Sequence, residues 1–129
     1  MTFLTDTHPL LWHFTNNSKI SSKAKRIFDK CEKGECVILI PSIVLAECLS
    51  IFDKKKIVFD FKKLFDRIRK SDNYAIISLD HHVLSRMVET KEVTELHDKI
   101  IVATAKLLGL PLITKDRLLA RLKTIDSVW

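Results

Sequence analysis

Five short, continuous apolar runs, set apart by stretches of helical periodicity, constrain this chain more than any other feature. The runs are Phe3–Thr5, Val37–Ile40, Ala75–Leu79, Pro111–Thr114 and Ser127–Trp129. They are too short for helices, and their apolar character is unbroken rather than alternating, so they predict strands buried on both faces. Helical spacing fills the gaps. Ser22 caps a stripe of Ala24, Ile27, Phe28 and Cys31; Ser42 caps a helix running through Phe52. Phe61, Leu64, Phe65 and Ile68 form a third stripe, and Asp80 caps a fourth with Val83, Leu84, Met87 and Val88. A helix from about His97 to Leu108 stops at Gly109, with Pro111 just beyond. Strands alternating with helices specify an α/β fold, three layers α/β/α around a parallel sheet of about five strands.

At 129 residues, the chain is expected to form one domain over residues 1–129, large enough to fold without disulfide staples. Its three cysteines, Cys31, Cys36 and Cys48, contain no CxxC pair and predict buried thiols in a reducing, cytoplasmic setting. Their spacing gives no support to a zinc site. No basic stretch followed by an apolar segment opens the chain, and no apolar run reaches the length of a membrane span. The net charge of +6 suits an anionic partner, nucleic acid first, although the same charge also serves ordinary solubility.

Four acids then stand where the pattern asks for apolar residues, or at the tips of the runs. Asp6 ends the first run, Glu47 lies inside an apolar helix, Asp98 opens the segment Lys99–Ala103, and Asp116 follows the fourth run. Beyond the carboxyl ends of parallel strands lies the crevice where α/β sheets bind ligands. Asp6 and Asp116 face it directly, and Glu47 and Asp98 reach it from neighbouring helices. Two carboxylates ~5 Å apart repel by about 3 kcal/mol at an effective dielectric near 20. Four together must hold protons or a cation, and all-oxygen ligands select Mg2+ or Mn2+. Such a centre suits phosphodiester hydrolysis by metal-activated water. Each acid also has a plain structural alternative: an Asx-turn before Pro9 for Asp6, helix caps for Asp98 and Asp116, and a buried lysine pair for Glu47.

The same residues resemble a known family. FLTDTHPLLW, IPSIVLAECLS, LHDKIIVATAKLLGLPLITKD and TIDSVW resemble the successive motifs of PIN-domain ribonucleases, in particular the small VapC-like toxins of type II toxin-antitoxin pairs. The resemblance spans essentially the whole chain. It implies a Mg2+- or Mn2+-dependent endoribonuclease in which Asp6, Glu47, Asp98 and Asp116 bind metal and act in catalysis, with Thr114 orienting the site. It also implies homodimerisation, an RNA substrate such as tRNA or rRNA, and inhibition by a cognate antitoxin protein. Many relatives carry a further acid shortly after the fourth; here Arg117, Leu118, Leu119, Ala120 and Arg121 follow. That departure implies a mechanism leaning on one metal until RNA brings its own phosphate ligands.

Lys115 and Arg117 flank the expected site and are candidates for phosphate contacts; His97 is a candidate for substrate contact. The basic segments Lys23–Lys33 and Lys54–Lys70 read either as RNA guides or as solvated helix faces. Trp12 and Phe14 read as core or dimer surface. Two other functions remain open at this level. A receiver-like phosphoacceptor domain would use Asp80 as its acceptor and Thr114 and Lys115 as switch residues, but Thr5 and Thr7 flank Asp6 where that design places a second acid. A catalytically inactive PIN-like binding module would bind no divalent ion at the acids.

Overall fold

The apolar runs become the strands of one sheet, in a computed structural model that describes residues 1–129. In chain order the elements are β1 (Thr2–Thr5), α1 (Thr7–Phe14), α2 (Ser22–Glu32), β2 (Val37–Pro41), α3 (Ser42–Asp53), α4 (Phe61–Lys70), β3 (Tyr74–Ile77), α5 (His81–Glu89), α6 (Leu96–Leu108), β4 (Leu112–Ile113), α7 (Arg117–Ala120) and β5 (Ser127–Val128). All five strands pair in parallel, in the order β3-β2-β1-β4-β5.

Successive strand residues point to opposite faces, so burial at consecutive positions means both faces are covered. Phe3 and Leu4 in β1 and Leu112 and Ile113 in β4 meet that condition. The core joins these strands to Leu10 and Leu11 of α1, Phe28 of α2, Val44 and Cys48 of α3, and Ile101 and Val102 of α6. Each such large side chain contributes about 1.5–3 kcal/mol on burial. The result is the expected three-layer α/β/α fold. All three cysteines are free and buried.

Several boundaries differ from the sequence reading. Helix α1 was not among the expected helices; the Asp6-Thr7-His8-Pro9 stretch reads as a turn, yet Asp6 caps a helix and Pro9 sits in its first turn, where no backbone N–H is needed. Ser21 rather than Ser22 caps α2, its hydroxyl accepting from Ala24 N. Ser42 is the first helical residue of α3; Pro41 occupies the cap position and supplies no side-chain bond. Strand β3 starts at Tyr74 and ends at Ile77, short of Leu79, because Asp80 already turns the chain into α5. Glu95, not Asp98, caps α6: its carboxylate accepts the Asp98 backbone N–H at 2.7 Å. Gly109 ends α6 in the left-handed region at φ +65°, as the stop signal predicts.

Helix α1 is fastened at its far end. The Glu32 carboxylate, at the end of α2, accepts from Arg67 of α4 at 2.6 Å and lies 3.1 Å from His13 of α1. Burial pushes the His13 pKa down, against the pull of Glu32, and its ring stacks on Phe28 with centroids 4.7 Å apart. This anchor matters because the other end of α1 enters the site.

Candidate active site

In a parallel sheet the ligand crevice opens where neighbouring strands connect in opposite directions. Here that point lies beside β1, between it and β4. The register pairs Leu4 with Leu112 and Thr5 with Ile113, so the residues that follow both strands emerge side by side. Asp6 and Asp116 are therefore neighbours by topology although 110 positions separate them in sequence.

Asp6 is held by two hydrogen bonds. Its Oδ1 accepts from Thr7 N at 2.8 Å, which caps α1, and its Oδ2 accepts from the Thr114 hydroxyl at 2.8 Å. The same Thr114 oxygen accepts from Asp116 N at 3.0 Å. One buried hydroxyl thus ties the ends of β1 and β4 together and orients two acids. Asp116 also caps α7, its Oδ1 accepting from Leu118 N and Leu119 N. The cap expected of Asp116 is present, while Asp6, expected to close an Asx-turn, caps a helix instead; a capping carboxylate keeps lone pairs free, so neither cap prevents the acid from serving the cleft.

Glu47 arrives from α3 and Asp98 from the first turn of α6. All four acids line one cleft of about 440 Å3, together with His8, Pro9, Trp12 and Lys115. None of the six ion pairs in the molecule involves Asp6, Glu47, Asp98 or Asp116. The buried Glu–Lys pair that would have explained Glu47 is not there.

The electrostatics follow from that geometry. Burial pushes the Asp6 carboxyl above its ordinary range, against the Thr114 and Thr7 hydrogen bonds that favour its ionised form. Burial also raises Glu47, with Asp6 adding repulsion and His97 opposing. Asp98 is raised to about 6, first by burial and then by Glu95, Asp6, Asp116 and Glu47. Burial comes first for all three carboxyls and neighbouring carboxylates add to it, so the cleft favours positive charge. No three His, Cys, Asp or Glu side chains stand close enough in this structure to make a ready ligand set. Closing such a set brings like charges together, a cost that a divalent ion offsets.

Other expected residues divide. Lys115 lines the cleft, its Nζ 5.4 Å from the centre of the Trp12 ring; Arg117 is exposed on α7 and lies outside the lining. His97 binds Glu95 at 2.9 Å and lines an adjoining hollow shared with Glu47 and His8. Asp80, the acceptor required of a receiver-like domain, caps α5 and stands outside the cleft. Trp12 is largely buried, so its reading as core holds, although its ring also walls the cleft. His8 was missed. The signal for it was the helix itself: once Asp6 caps α1, the next residues share its rim. A larger hollow of about 520 Å3 opens at Phe14, Phe59, Lys63 and Arg67, but its acids Asp60 and Asp66 stand among basic side chains, so it offers no anionic centre.

The sequence profile of the PIN domain matches residues 3–125. No curated protein matches the chain by sequence comparison. Several solved structures share its fold. VapBC2 from Rickettsia felis, bound to a DNA fragment from its promoter, aligns with a TM-score of 0.75 at 17% identity, over 99% of this chain and 98% of that one. A toxin-antitoxin complex from Klebsiella pneumoniae aligns at 0.66 and 24% identity, over 98% and 96%. FitAcB from Neisseria gonorrhoeae aligns at 0.67 and 18% identity, over 100% and 97%. With strand order, acidic crevice and a profile match over nearly its full length in agreement, the chain belongs to the PIN domain family.

Proposed function

We propose that this protein is a Mg2+- or Mn2+-dependent endoribonuclease and the toxin of a type II toxin-antitoxin pair. PIN-domain proteins are nucleases that generally use divalent metals, and the structural neighbours are toxin-antitoxin assemblies. The observation that carries the reading is the meeting of Asp6, Glu47, Asp98 and Asp116 in one cleft with none of them in an ion pair. The donor set fits a hard dication: the four acids offer oxygen ligands only, and their mutual repulsion favours an ion over protons. Asp6, Glu47, Asp98 and Asp116 would hold it. Bound there, the ion supplies a lowered pKa for water and offsets charge developing on the phosphodiester.

The protein's own part is placement. Thr7 N–H and the Thr114 hydroxyl fix the Asp6 carboxylate, and the Asp116 backbone is fixed through the same Thr114. Lys115, braced over Trp12, offers a cation to the RNA phosphate at the edge of the cleft. Arg117 serves as an outer phosphate contact, since its side chain is exposed beside the site. No helix is long and apolar enough to cross a membrane, and the proposed reading has the protein act on RNA in the cytoplasm. A cognate antitoxin and a second copy of the chain complete the assembly in this reading.

The test is incubation of the purified protein with defined tRNA and rRNA fragments, with Mn2+ or with EDTA, followed by mapping of cut ends. Mn2+ is expected to give discrete internal cuts, EDTA none, and Asp6→Asn none at unchanged folded content. Cleavage by Asp6→Asn at the wild-type rate overturns the assignment. Growth arrest on expression, relieved by a neighbouring gene product, tests the toxin role separately.

A further inference from the structure

Five polar residues are buried in this molecule, and all are threonines: Thr5, Thr7, Thr90, Thr104 and Thr114. Four have hydroxyl partners. Thr90 and Thr104 donate to the carbonyls of Arg86 and Ile100 one helical turn back, at 2.7 Å each. Thr5 donates to the Asp6 carbonyl at 2.9 Å, and Thr114 donates to Asp6 Oδ2. Thr7 alone has none: its Oγ1 is the only buried side-chain nitrogen or oxygen in the protein without a hydrogen-bond partner.

Its position explains why the usual remedy fails. Thr7 is the first residue of α1, so no preceding helical turn offers a carbonyl. A buried hydroxyl left unpaired is costly, and in a native protein it calls for a reason. An acceptor with spare lone pairs within its influence is Glu47. α1 packs directly on α3, and the Thr7 hydroxyl is among the groups that favour the ionised form of Glu47. The pair falls outside hydrogen-bonding geometry in this structure. Glu47 itself has no other side-chain bond or ion pair, whereas Asp6 has both carboxylate oxygens engaged.

We infer that Thr7 is a positioning residue for Glu47: its buried, unpartnered hydroxyl is poised to donate to the Glu47 carboxylate when that side chain swings to bind a divalent ion. The inference rests on the metal-binding reading of the cleft. The hydroxyl spends its one donor only in the loaded state. It orients the carboxylate, as outer partners orient metal ligands elsewhere, and does not itself touch ion or RNA.

The test uses the full chain, with Mn2+ alone as the probe and two readouts: Mn2+ affinity by calorimetry, and melting temperature in EDTA. Thr7→Val keeps the shape and removes the hydroxyl; Thr7→Ser keeps the hydroxyl. Thr7→Val is expected to weaken Mn2+ binding by about tenfold or more, the range typical of lost outer partners, while its melting temperature in EDTA holds or rises. Thr7→Ser is expected to stay within about twofold of wild type. A purely structural hydroxyl would give the opposite pattern, lower melting in EDTA with unchanged Mn2+ affinity, and that result overturns the inference. Equal weakening by Thr7→Ser and Thr7→Val also overturns it. Failure of the wild-type protein to bind Mn2+ at all brings down the metal reading itself, a result distinct from either of these.

Discussion

Removing one charge from the cleft should stabilise the metal-free protein, and Asp98 is the place to measure it. Its carboxyl is raised from 3.8 to about 6 in the folded state, chiefly by burial and then by Glu95, Asp6, Asp116 and Glu47. An acid whose folded pKa is raised binds its proton more tightly in the native protein than in the unfolded chain. Native stability therefore falls as the pH climbs from about 4 through about 6, and the full penalty stands above that window. A difference of this size is worth ~3 kcal/mol at roughly 1.36 kcal/mol per pH unit. Asp98 is partly open to solvent, and screening removes about half of that. Asparagine also gives up a carboxylate in the first turn of α6, where the helix dipole favours it by roughly 0.5 kcal/mol. Asp98→Asn should thus gain ~1 kcal/mol at pH 8 in EDTA, or about 4 °C in melting temperature for a domain of this size. Near pH 4 the gain should vanish. Adding Mn2+ should reverse the order, raising the wild-type melting temperature well above that of the variant. Thermal melts across pH 4–8, with EDTA and with Mn2+, provide the measurement. A variant that melts below wild type at pH 8 in EDTA, or a difference that ignores pH, refutes the claim that this cleft penalises the ionised form of Asp98.

Two further outcomes probe the scaffold. Thr114→Val leaves the Asp116 N–H without its acceptor and Asp6 Oδ2 without its donor, so denaturant unfolding should show a loss of about 1–3 kcal/mol together with weaker Mn2+ binding. Gly109→Ala places a side chain at φ +65°, where open space around the added methyl leaves only backbone strain to resist it; urea unfolding should register a loss of ~1 kcal/mol with RNA cleavage unchanged.

Composition and periodicity reached the architecture because burial on two faces writes unbroken apolar runs into a strand, and Phe3–Thr5 and Pro111–Thr114 carry that signature. The acids were legible for the complementary reason: a charge inside or at the end of such a run is costly unless it has work to do, as at Glu47. Local signals misled where two rules share one residue. Asp98 looks like a cap because it precedes an apolar helix, but Glu95 three residues earlier takes the cap and frees Asp98 to face the cleft. Asp6 before a proline looks like a turn, yet it opens a helix.

The sequence alone determined that the chain builds a parallel sheet between helices and that four acids stand within or beside its apolar segments, since both properties follow from residue type and spacing along the chain. Only the tertiary structure decided that β1 lies between β2 and β4, which sets Asp6 against Thr114 and Asp116 across 108 and 110 positions. Strand order is a long-range choice made by packing both sheet faces at once, and no local pattern encodes it. The same is true of Thr7: a threonine after an aspartate is ordinary in sequence, and only the packed fold buries its hydroxyl away from any partner.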